Sequence, residues 1–147
     1  MTTTRFLQFS KQFGKYCEHR FTPLSQRHGL SMREINVLLF LANNPGFDTA
    51  RDITEYRGIS KSQVSQAVDF LVELGYLVRT ADTEDRRVIH LAITQEGAPI
   101  AKEAQQIQND CGRALLEGLT AEQKHQLEML WEILLDNGQH LAGEVGR

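Results

Sequence analysis

The chain has few residues that build covalent frameworks, and it has no long apolar run. Only two cysteines, Cys17 and Cys111, occur among 147 residues, and they stand far apart. The sequence therefore contains neither a disulfide framework nor a zinc-finger spacing, which favours a protein of the reducing cytoplasm. No apolar segment approaches the roughly 20 residues of a membrane-spanning helix. The N-terminal stretch also lacks the apolar core of a signal peptide. These absences predict a cytoplasmic location and no membrane partner.

The sequence also lacks the patterns that support catalysis or metal binding. It contains no nucleophile elbow, no phosphate-binding glycine loop and no pair of carboxylates with a catalytic spacing. Glu18 and His19 follow Cys17, but adjacent helical residues point in different directions and do not make a ligand set. The four other histidines are scattered along the chain. We therefore expect no enzyme activity, no metal site and no cofactor.

Positive charge is in short supply as well. The formal net charge is −3, whereas a nucleic-acid-binding domain usually gathers basic residues on one face. Between Thr49 and Thr94, seven acidic residues stand against six basic ones. Nucleic-acid binding therefore requires the fold to bring Arg57 and Lys61 to the same face as the arginines near residue 86. This balance keeps open a second hypothesis, in which the chain binds another protein.

The clearest helical pattern in the sequence follows Ser60. Ser60 and Gln63 form the Ser-x-x-Gln pattern of a helix start, and Gly75 stands where a left-handed cap ends a helix. The residues between them predict one apolar stripe. The stripe consists of Val64, Ala67, Val68, Leu71 and Leu74.

Two short segments rich in apolar and β-branched residues follow this helix. Residues 76–78 and 88–93 predict two strands, and the polar loop from Thr80 to Arg87 joins them. Arg86 and Arg87 lie at the far end of that loop. A helix followed by a hairpin with a basic tip predicts a winged helix.

Three helices are predicted before Ser60. Aromatic residues spaced by three and four from Phe6 to Phe21 indicate a first helix, which is expected to start at Thr4, to be interrupted by Gly14 and to end near Thr22-Pro23. Ser31 to Glu34 form a capping box for a second helix, which residues 43–46 end. A short third helix runs from about Thr49 to Tyr56. A short helix, a glycine turn and a second helix make the helix-turn-helix pattern.

Two more helices are predicted after the hairpin. Thr94 is expected to cap a helix that reaches about Glu117, and Thr120 begins a last helix that reaches about His140. The tail from Ala142 to Arg147 is expected to fray. The last helix carries a strong apolar face made of Leu127, Leu130, Trp131, Leu134 and Leu135.

Several fragments, taken in order, resemble the MarR (multiple antibiotic resistance regulator) family of bacterial transcription factors. The resemblance covers Leu30 to about Lys102. It implies a mainly α fold with a small β-hairpin, a winged helix-turn-helix with N- and C-terminal dimerisation helices. The chain is then a single domain, 1–147, with a winged-helix DNA-binding lobe at 30–95 and dimerisation helices at 1–29 and 96–147. The fragments are Leu30-Ser31, Ala50-x-Asp52-Ile53, Gly58-Ile59-Ser60-Lys61-Ser62-x-Val64-Ser65, Leu71-x-x-x-Gly75-Tyr76-Leu77-Val78-Arg79, Glu84-Asp85-Arg86-Arg87 and Ile93-Thr94-x-Glu96-Gly97.

The function that the resemblance implies is sequence-specific binding of double-stranded DNA. Such a regulator is a ligand-responsive repressor that acts as a homodimer on a pseudo-palindromic operator. Arg87 aligns with the arginine that the family inserts into a minor groove, and Asp85 is expected to orient its guanidinium. Polar residues at the start of the helix after Ser60 would enter the major groove. The predicted DNA-binding residues are Ser60, Lys61, Ser62, Gln63, Ser65, Gln66, Asp85, Arg86 and Arg87.

Many members of the family carry arginine or lysine where this chain has Gln66 and Phe70. Fewer phosphate contacts are therefore expected here, while Gln66 is well matched to adenine. Lys61 is expected to contact a phosphate, and Arg86 a phosphate or the solvent. The alternative function is that of a winged-helix protein–protein adaptor that does not bind DNA.

An effector and a redox role are the two points that the resemblance leaves open. Family members often bind small aromatic or anionic molecules between the dimerisation helices and the DNA-binding lobe. Some members sense oxidants through a cysteine on the first helix. The spacing from Cys17 to Leu30 is short for that role and no second cysteine is expected nearby, so we predict a packed, inert side chain. Residues that would line an effector cavity, or simply pack in the core, are Phe6, Phe9, Phe13, Tyr16 and Trp131.

Overall fold

A computed structural model describes residues 2–145, which form six helices and one two-stranded antiparallel sheet. The predicted mainly α fold with a small β-hairpin is confirmed. The elements are α1 (Thr3–His28), α2 (Met32–Asn43), α3 (Ala50–Arg57), α4 (Lys61–Glu73), β1 (Leu77–Ala81), β2 (Ile89–Ile93), α5 (Ala98–Leu115) and α6 (Ala121–Val145).

The chain divides into two compact units, one ending at Cys111 and the other beginning at Gly112. In the first unit, α4 packs against both α2 and α3. The apolar stripe of α4 is buried as predicted, from Val64 to Leu71, apart from Leu74, which is 40% exposed. The centre of this core is α2, which is apolar on nearly every side. Its buried apolar side chains are Ile35, Val37, Leu38, Leu39 and Phe40.

The hairpin is paired in a single register, from Leu77 opposite Ile93 to Ala81 opposite Ile89. Leu77 and Leu91 share the face that packs into the core, so both are buried. The loop between α2 and α3 joins the outer edge of β2. There Leu91 N donates to the Asp48 carbonyl at 2.8 Å. This bond anchors the hairpin to the helical part of the unit.

The junction between the hairpin and α5 is closely packed at Gly97. The Tyr76 carbonyl accepts a hydrogen bond from Thr94 N at 3.0 Å, and the Thr94 hydroxyl accepts one from Gly97 N at 3.1 Å. A Cβ atom added at Gly97 would lie 2.4 Å from the Tyr76 carbonyl oxygen. Only glycine fits there, because real Cβ atoms do not come so close to a backbone oxygen. As predicted, Thr94 leads into α5, although the regular helix begins at Ala98.

The predicted end of α1 near Pro23 is wrong. The helix continues through Gly14 and Pro23 to His28, and ends at Gly29 with φ 64°. Proline removes one backbone donor from a helix and normally disfavours its interior. Here the turn around Pro23 also carries Phe21 and Leu24, which are buried in the core. The packing of these two side chains outweighs the local cost of the proline.

The second unit begins with the end of α5 and contains α6. Thr120 starts α6 through the predicted capping box, because it exchanges bonds of 2.9 and 3.2 Å with Gln123. The helix runs beyond the predicted end near His140, and residues 142–145 are helical where fraying was predicted. The rest of that predicted tail, residues 146–147, lies outside the described residues. From Ala121 to Gly143, every side chain is exposed.

Candidate nucleic-acid interface

The predicted reading residues of α4 all lie on its exposed side. Ser60 precedes the helix, and its hydroxyl accepts a hydrogen bond from Gln63 N at 3.3 Å. The apolar residues Val64, Ala67 and Val68 occupy the buried side, which leaves the intervening polar residues facing solvent. The exposed predicted residues are Ser60, Lys61, Ser62, Gln63, Ser65 and Gln66.

Gln66 has a partner on α2 that sequence reasoning missed. Arg33 Nη1 donates to Gln66 Oε1 at 3.1 Å, while Arg33 Nε donates to Glu34 Oε1 at 3.3 Å. Glu34 is itself buried and accepts a hydrogen bond from Ser31 N at 2.7 Å. The largest single influence on the pKa of Glu34 is burial, which raises it. The hydrogen bonds from Ser31 and Arg33 outweigh burial and lower it overall. A fixed carboxylate therefore positions Arg33, which holds Gln66.

Two other charged residues around α4 are also paired. Arg57, at the end of α3, donates to Asn36 Oδ1 of α2 at 2.5 Å. Asp69 on the exposed side of α4 forms an ion pair with Arg79 of β1. The Asp69 charge is therefore matched locally. The pairing uses one acidic and one basic residue, so the region keeps an excess of one acidic residue, and Arg79 is engaged within the lobe.

The tip of the hairpin holds Asp85 and Arg87 in a two-point ion pair. Arg87 Nε and Nη2 donate to the two carboxylate oxygens of Asp85 at 3.0 and 3.1 Å, and Arg87 N donates to Asp85 Oδ1 at 3.1 Å. The side-chain hydrogen bond from Arg87 is the main cause that lowers the pKa of Asp85. The Arg87 side chain is 91% exposed and Arg86 is exposed as well. The tip therefore presents two arginines to solvent, one of them held by a carboxylate.

The base of the same loop contains a histidine between two carboxylates. His90 Nδ1 lies 2.7 Å from Asp48 Oδ1, and His90 Nε2 lies 3.0 Å from Asp82 Oδ1. These contacts raise the pKa of His90, with Asp48 the larger cause and Asp82 the second. Hydrogen bonds from Asp85 N, His90 and Glu84 N lower the pKa of Asp82 to about 2. The sequence carried no signal for this cluster, because Asp48 and His90 are distant in the chain.

The expectation that Cys17 has no cysteine nearby is wrong. Cys111 of α5 lies close enough to Cys17 of α1 to contribute to the pKa of its thiol. Burial is the largest cause that raises the pKa of Cys17 to about 11, and the Cys111 contact adds to it. A raised pKa means little thiolate at neutral pH, so the pair is a weak nucleophile.

Three of the aromatic residues considered for an effector site, Phe9, Phe13 and Tyr16, stack on one another along α1. The Phe9 and Phe13 ring centroids are 6.0 Å apart, and those of Phe13 and Tyr16 are 6.4 Å apart, both stacked. Phe6 and Trp131 are exposed. Within residues 2–145, no helix is both long and apolar enough to cross a membrane, and no three potential ligands cluster for a metal ion.

Comparisons with known proteins agree with this geometry. A family model described as "MarR family" matches residues 28–88. A MarR transcriptional regulator from Methanosarcina mazei Go1 has a TM-score of 0.80 at 18% identity, covering 96% of this chain and 94% of that one. Bordetella bronchiseptica BpsR has a TM-score of 0.67 at 16% identity, with 88% and 98% covered. Rhodococcus jostii RHA1 CouR has a TM-score of 0.67 at 24% identity, with 84% and 87% covered. At such identities, these structures establish the fold.

Proposed function

We propose that this chain, a member of the MarR family by its winged-helix lobe and its fold, binds specific double-stranded DNA as a homodimer and represses transcription there. The proposal includes a pseudo-palindromic operator, because a two-fold protein matches two half-sites about one helical turn apart. It includes no enzyme activity. We place the activity in the cytoplasm, where a regulator reaches the chromosome.

The observation that carries the proposal is the pairing of Asp85 with Arg87 at an exposed tip. An unpaired arginine loses side-chain freedom when it binds, whereas Asp85 already orders this one through two side-chain hydrogen bonds. An oriented guanidinium on a narrow projection suits a minor groove, where the negative potential is concentrated. The exposed polar side of α4 supplies the residues for the adjacent major groove, with Lys61 on a phosphate.

Homodimer formation is supported by apolar surface that the described chain leaves uncovered. On α6, Leu130 is 58% exposed and Trp131 is 49% exposed, and Phe9 on α1 is 46% exposed. Exposed apolar side chains grouped along a helix, as on α6 and separately on α1, mark an interaction site in soluble proteins. A second copy of the chain is the proposed occupant.

A small aromatic or anionic effector is the proposed release signal. Two proteins of the same fold support this class: DNA binding of BpsR is regulated by 6-hydroxynicotinic acid, and CouR is bound to p-coumaroyl-CoA. Both compounds join an aromatic ring to negative charge. The stacked rings of Phe9, Phe13 and Tyr16 on α1, of which Phe9 and Tyr16 are exposed, offer aromatic surface of the required type.

A selection on random 30-base-pair duplexes tests DNA binding. The enriched duplex is then titrated by fluorescence anisotropy at several salt concentrations between 50 and 200 mM. We expect log affinity to fall with log salt at a slope of about −0.9 for each phosphate neutralised. No enrichment, or an affinity that is flat in salt, would contradict the proposal and favour the protein–protein adaptor.

A further inference from the structure

The imidazole of His90 lies between two carboxylates that come from separate parts of the fold. Asp48 belongs to the loop between α2 and α3, and Asp82 begins the loop at the tip of the hairpin. A neutral imidazole has one N–H group, so it donates to one carboxylate and turns a lone pair towards the other. A protonated imidazole has two N–H groups and donates to both. The observed geometry fits the protonated ring.

Asp82 links His90 to the backbone of the loop that contains Arg87. The Asp82 oxygen that does not face His90 accepts hydrogen bonds from Glu84 N and Asp85 N, both at 2.9 Å. Asp82 N donates to the Val88 carbonyl at 2.9 Å, which closes the base of the loop. One carboxylate therefore fixes the backbone immediately before the Asp85–Arg87 pair. An Asp82 side chain that turns away releases two amide groups of that segment.

We propose that protonated His90 is a positioning residue that holds the hairpin tip in its DNA-binding conformation, so that DNA binding weakens when the ring loses its proton. This inference rests on the proposed function, because it assigns the tip a DNA contact. His90 itself is set back from the tip and acts through Asp82. It is also the only histidine between residues 30 and 95, so no other imidazole of the lobe contributes to the effect.

The charges that face His90 determine the direction of the pH dependence. Asp48 and Asp82 face the ring, while Asp85 faces Asp82 and Arg87. The pKa of His90 is raised above its unfolded value, so the stabilisation is complete below about pH 6.5 and is lost as pH rises through the folded pKa. Asp82, with a pKa of about 2, stays ionised throughout that range. Ordering of the tip should therefore decrease on the alkaline side of neutrality.

The first experiment needs no DNA and therefore separates this inference from the proposed function. The Cε1 proton of His90 is titrated by NMR in the full chain, and amide exchange of Glu84 and Asp85 is measured across the same pH range. We expect a raised pKa, and we expect protection of both amides to fall as the ring deprotonates. His90→Gln should lose that protection at pH 6.5, whereas His19→Gln, an exposed site on α1, should keep it.

The second experiment measures affinity for the selected duplex between pH 6 and pH 9 at fixed salt. For the unaltered chain, we expect roughly a three- to tenfold weakening, the scale of one hydrogen bond to a partly exposed group. His90→Gln should bind weakly throughout and show no such weakening. The His19→Gln control should follow the unaltered chain.

Asp82→Asn distinguishes positioning from a general loss of packing. The asparagine oxygen can still accept from the Glu84 and Asp85 amides, and its NH₂ group can donate to the unprotonated Nε2 of a neutral His90. This variant should therefore keep the amides protected at pH 8.5 and lose the pH dependence of binding. Unchanged Glu84 and Asp85 exchange in His90→Gln, or the same pH profile with and without His90, would overturn the inference. If no duplex is enriched at any pH, the proposed function fails while the exchange experiment still decides the role of His90.

Discussion

The winged-helix lobe and the terminal helices differ in how much of their apolar side chains is buried. In the lobe, Ile35, Leu38 and Leu71 have no measurable exposure. On α6, Leu130 and Leu134 are 58% and 55% exposed, and Leu7 on α1 is 61% exposed. The lobe completes its core within one chain. The terminal helices also carry large apolar side chains but leave them uncovered, and we propose that a second copy of the chain covers them.

The division between these two regions falls within α1. Its first half is exposed apart from the half-buried Phe13, Cys17 is half-buried, and Phe21 and Leu24 are buried in the lobe. A truncation ending at Phe21 would therefore damage the lobe as well as the apolar surface. Tests of the comparison should use point substitutions, which act on one region at a time.

The largest expected effect comes from placing charge on the apolar face of α6. In a two-fold dimer, Leu130→Asp with Leu134→Asp removes four leucines from the interface. At about 1.5–3 kcal/mol for each buried leucine, dimerisation should weaken by roughly 6–12 kcal/mol. Sedimentation equilibrium should find a monomer at micromolar concentration. An NMR spectrum of the lobe should stay dispersed, and a dimer that survives both charges would show that α6 is not the interface.

The matched substitution in the lobe is Leu38→Ala. It removes a fully buried side chain and should lower the free energy of unfolding by about 2–5 kcal/mol. Denaturant unfolding followed by circular dichroism measures this loss. Because the lobe's core lies within one chain, the loss should not depend on protein concentration, whereas that of Leu130→Ala should. Equal dependence on concentration in both variants would remove the distinction between the two regions.

The boundary within α1 can be tested by the reactivity of Cys17. With a pKa of about 11 instead of 9.0, its thiolate fraction at neutral pH should be about 100-fold lower than in the unfolded chain. Alkylation by iodoacetamide should therefore be slow in the native protein and fast in urea, as followed by mass spectrometry. Cys111→Ser should speed the native reaction, because the contact with Cys111 is part of the shift. Equal native and unfolded rates would place Cys17 on the exposed half of the helix.

Within the lobe, Arg87→Ala tests the exposed tip against the buried core. It should weaken DNA binding by roughly 1–3 kcal/mol, and it should leave the melting temperature unchanged because the side chain is 91% exposed. Asp85→Ala should reproduce part of the loss, since an unheld arginine must be ordered on binding. Arg86→Ala serves as a control that lowers the salt slope by about 1 without changing sequence preference. Full-strength binding by Arg87→Ala would leave recognition to α4 alone.

The smallest expected effect is that of Gln66→Ala. Arg33 already occupies its amide oxygen, so the loss in affinity should be about 1 kcal/mol, the low end for a base contact. The preferred base at one position of the duplex should change more than the overall affinity. Repeating the duplex selection with the variant checks this. An identical enriched sequence would show that Gln66 reads no base.

Local signals predicted most of the helices, and contacts between distant residues explain what those signals missed. The capping boxes at Ser31 and Thr120 and the apolar stripe of α4 depend on residues three or four apart, so their pattern is visible in the sequence. The end of α1 was misplaced because a local rule about Pro23 was opposed by the burial of Phe21 and Leu24, which only the fold determines.

For the candidate site, the sequence and the family resemblance identified the exposed residues and the pairing of Asp85 with Arg87, but not the contacts between distant parts of the chain. The contact between Arg33 and Gln66 joins residues 33 positions apart, and that between Asp48 and His90 joins residues 42 apart. Such pairs follow from how α2, α4 and the hairpin pack. No spacing rule reveals them in a single sequence.

The close approach at Gly97 couples the hairpin to the first turn of α5, so that the two are expected to move together. Gly97 lies directly against the Tyr76 carbonyl, and Thr94 bonds both sides of the junction. The two segments are so close there that no side chain fits between them. We therefore expect that a tilt of the first turn of α5 also moves the start of β1. Movements of α5 would in this way be transmitted to the hairpin.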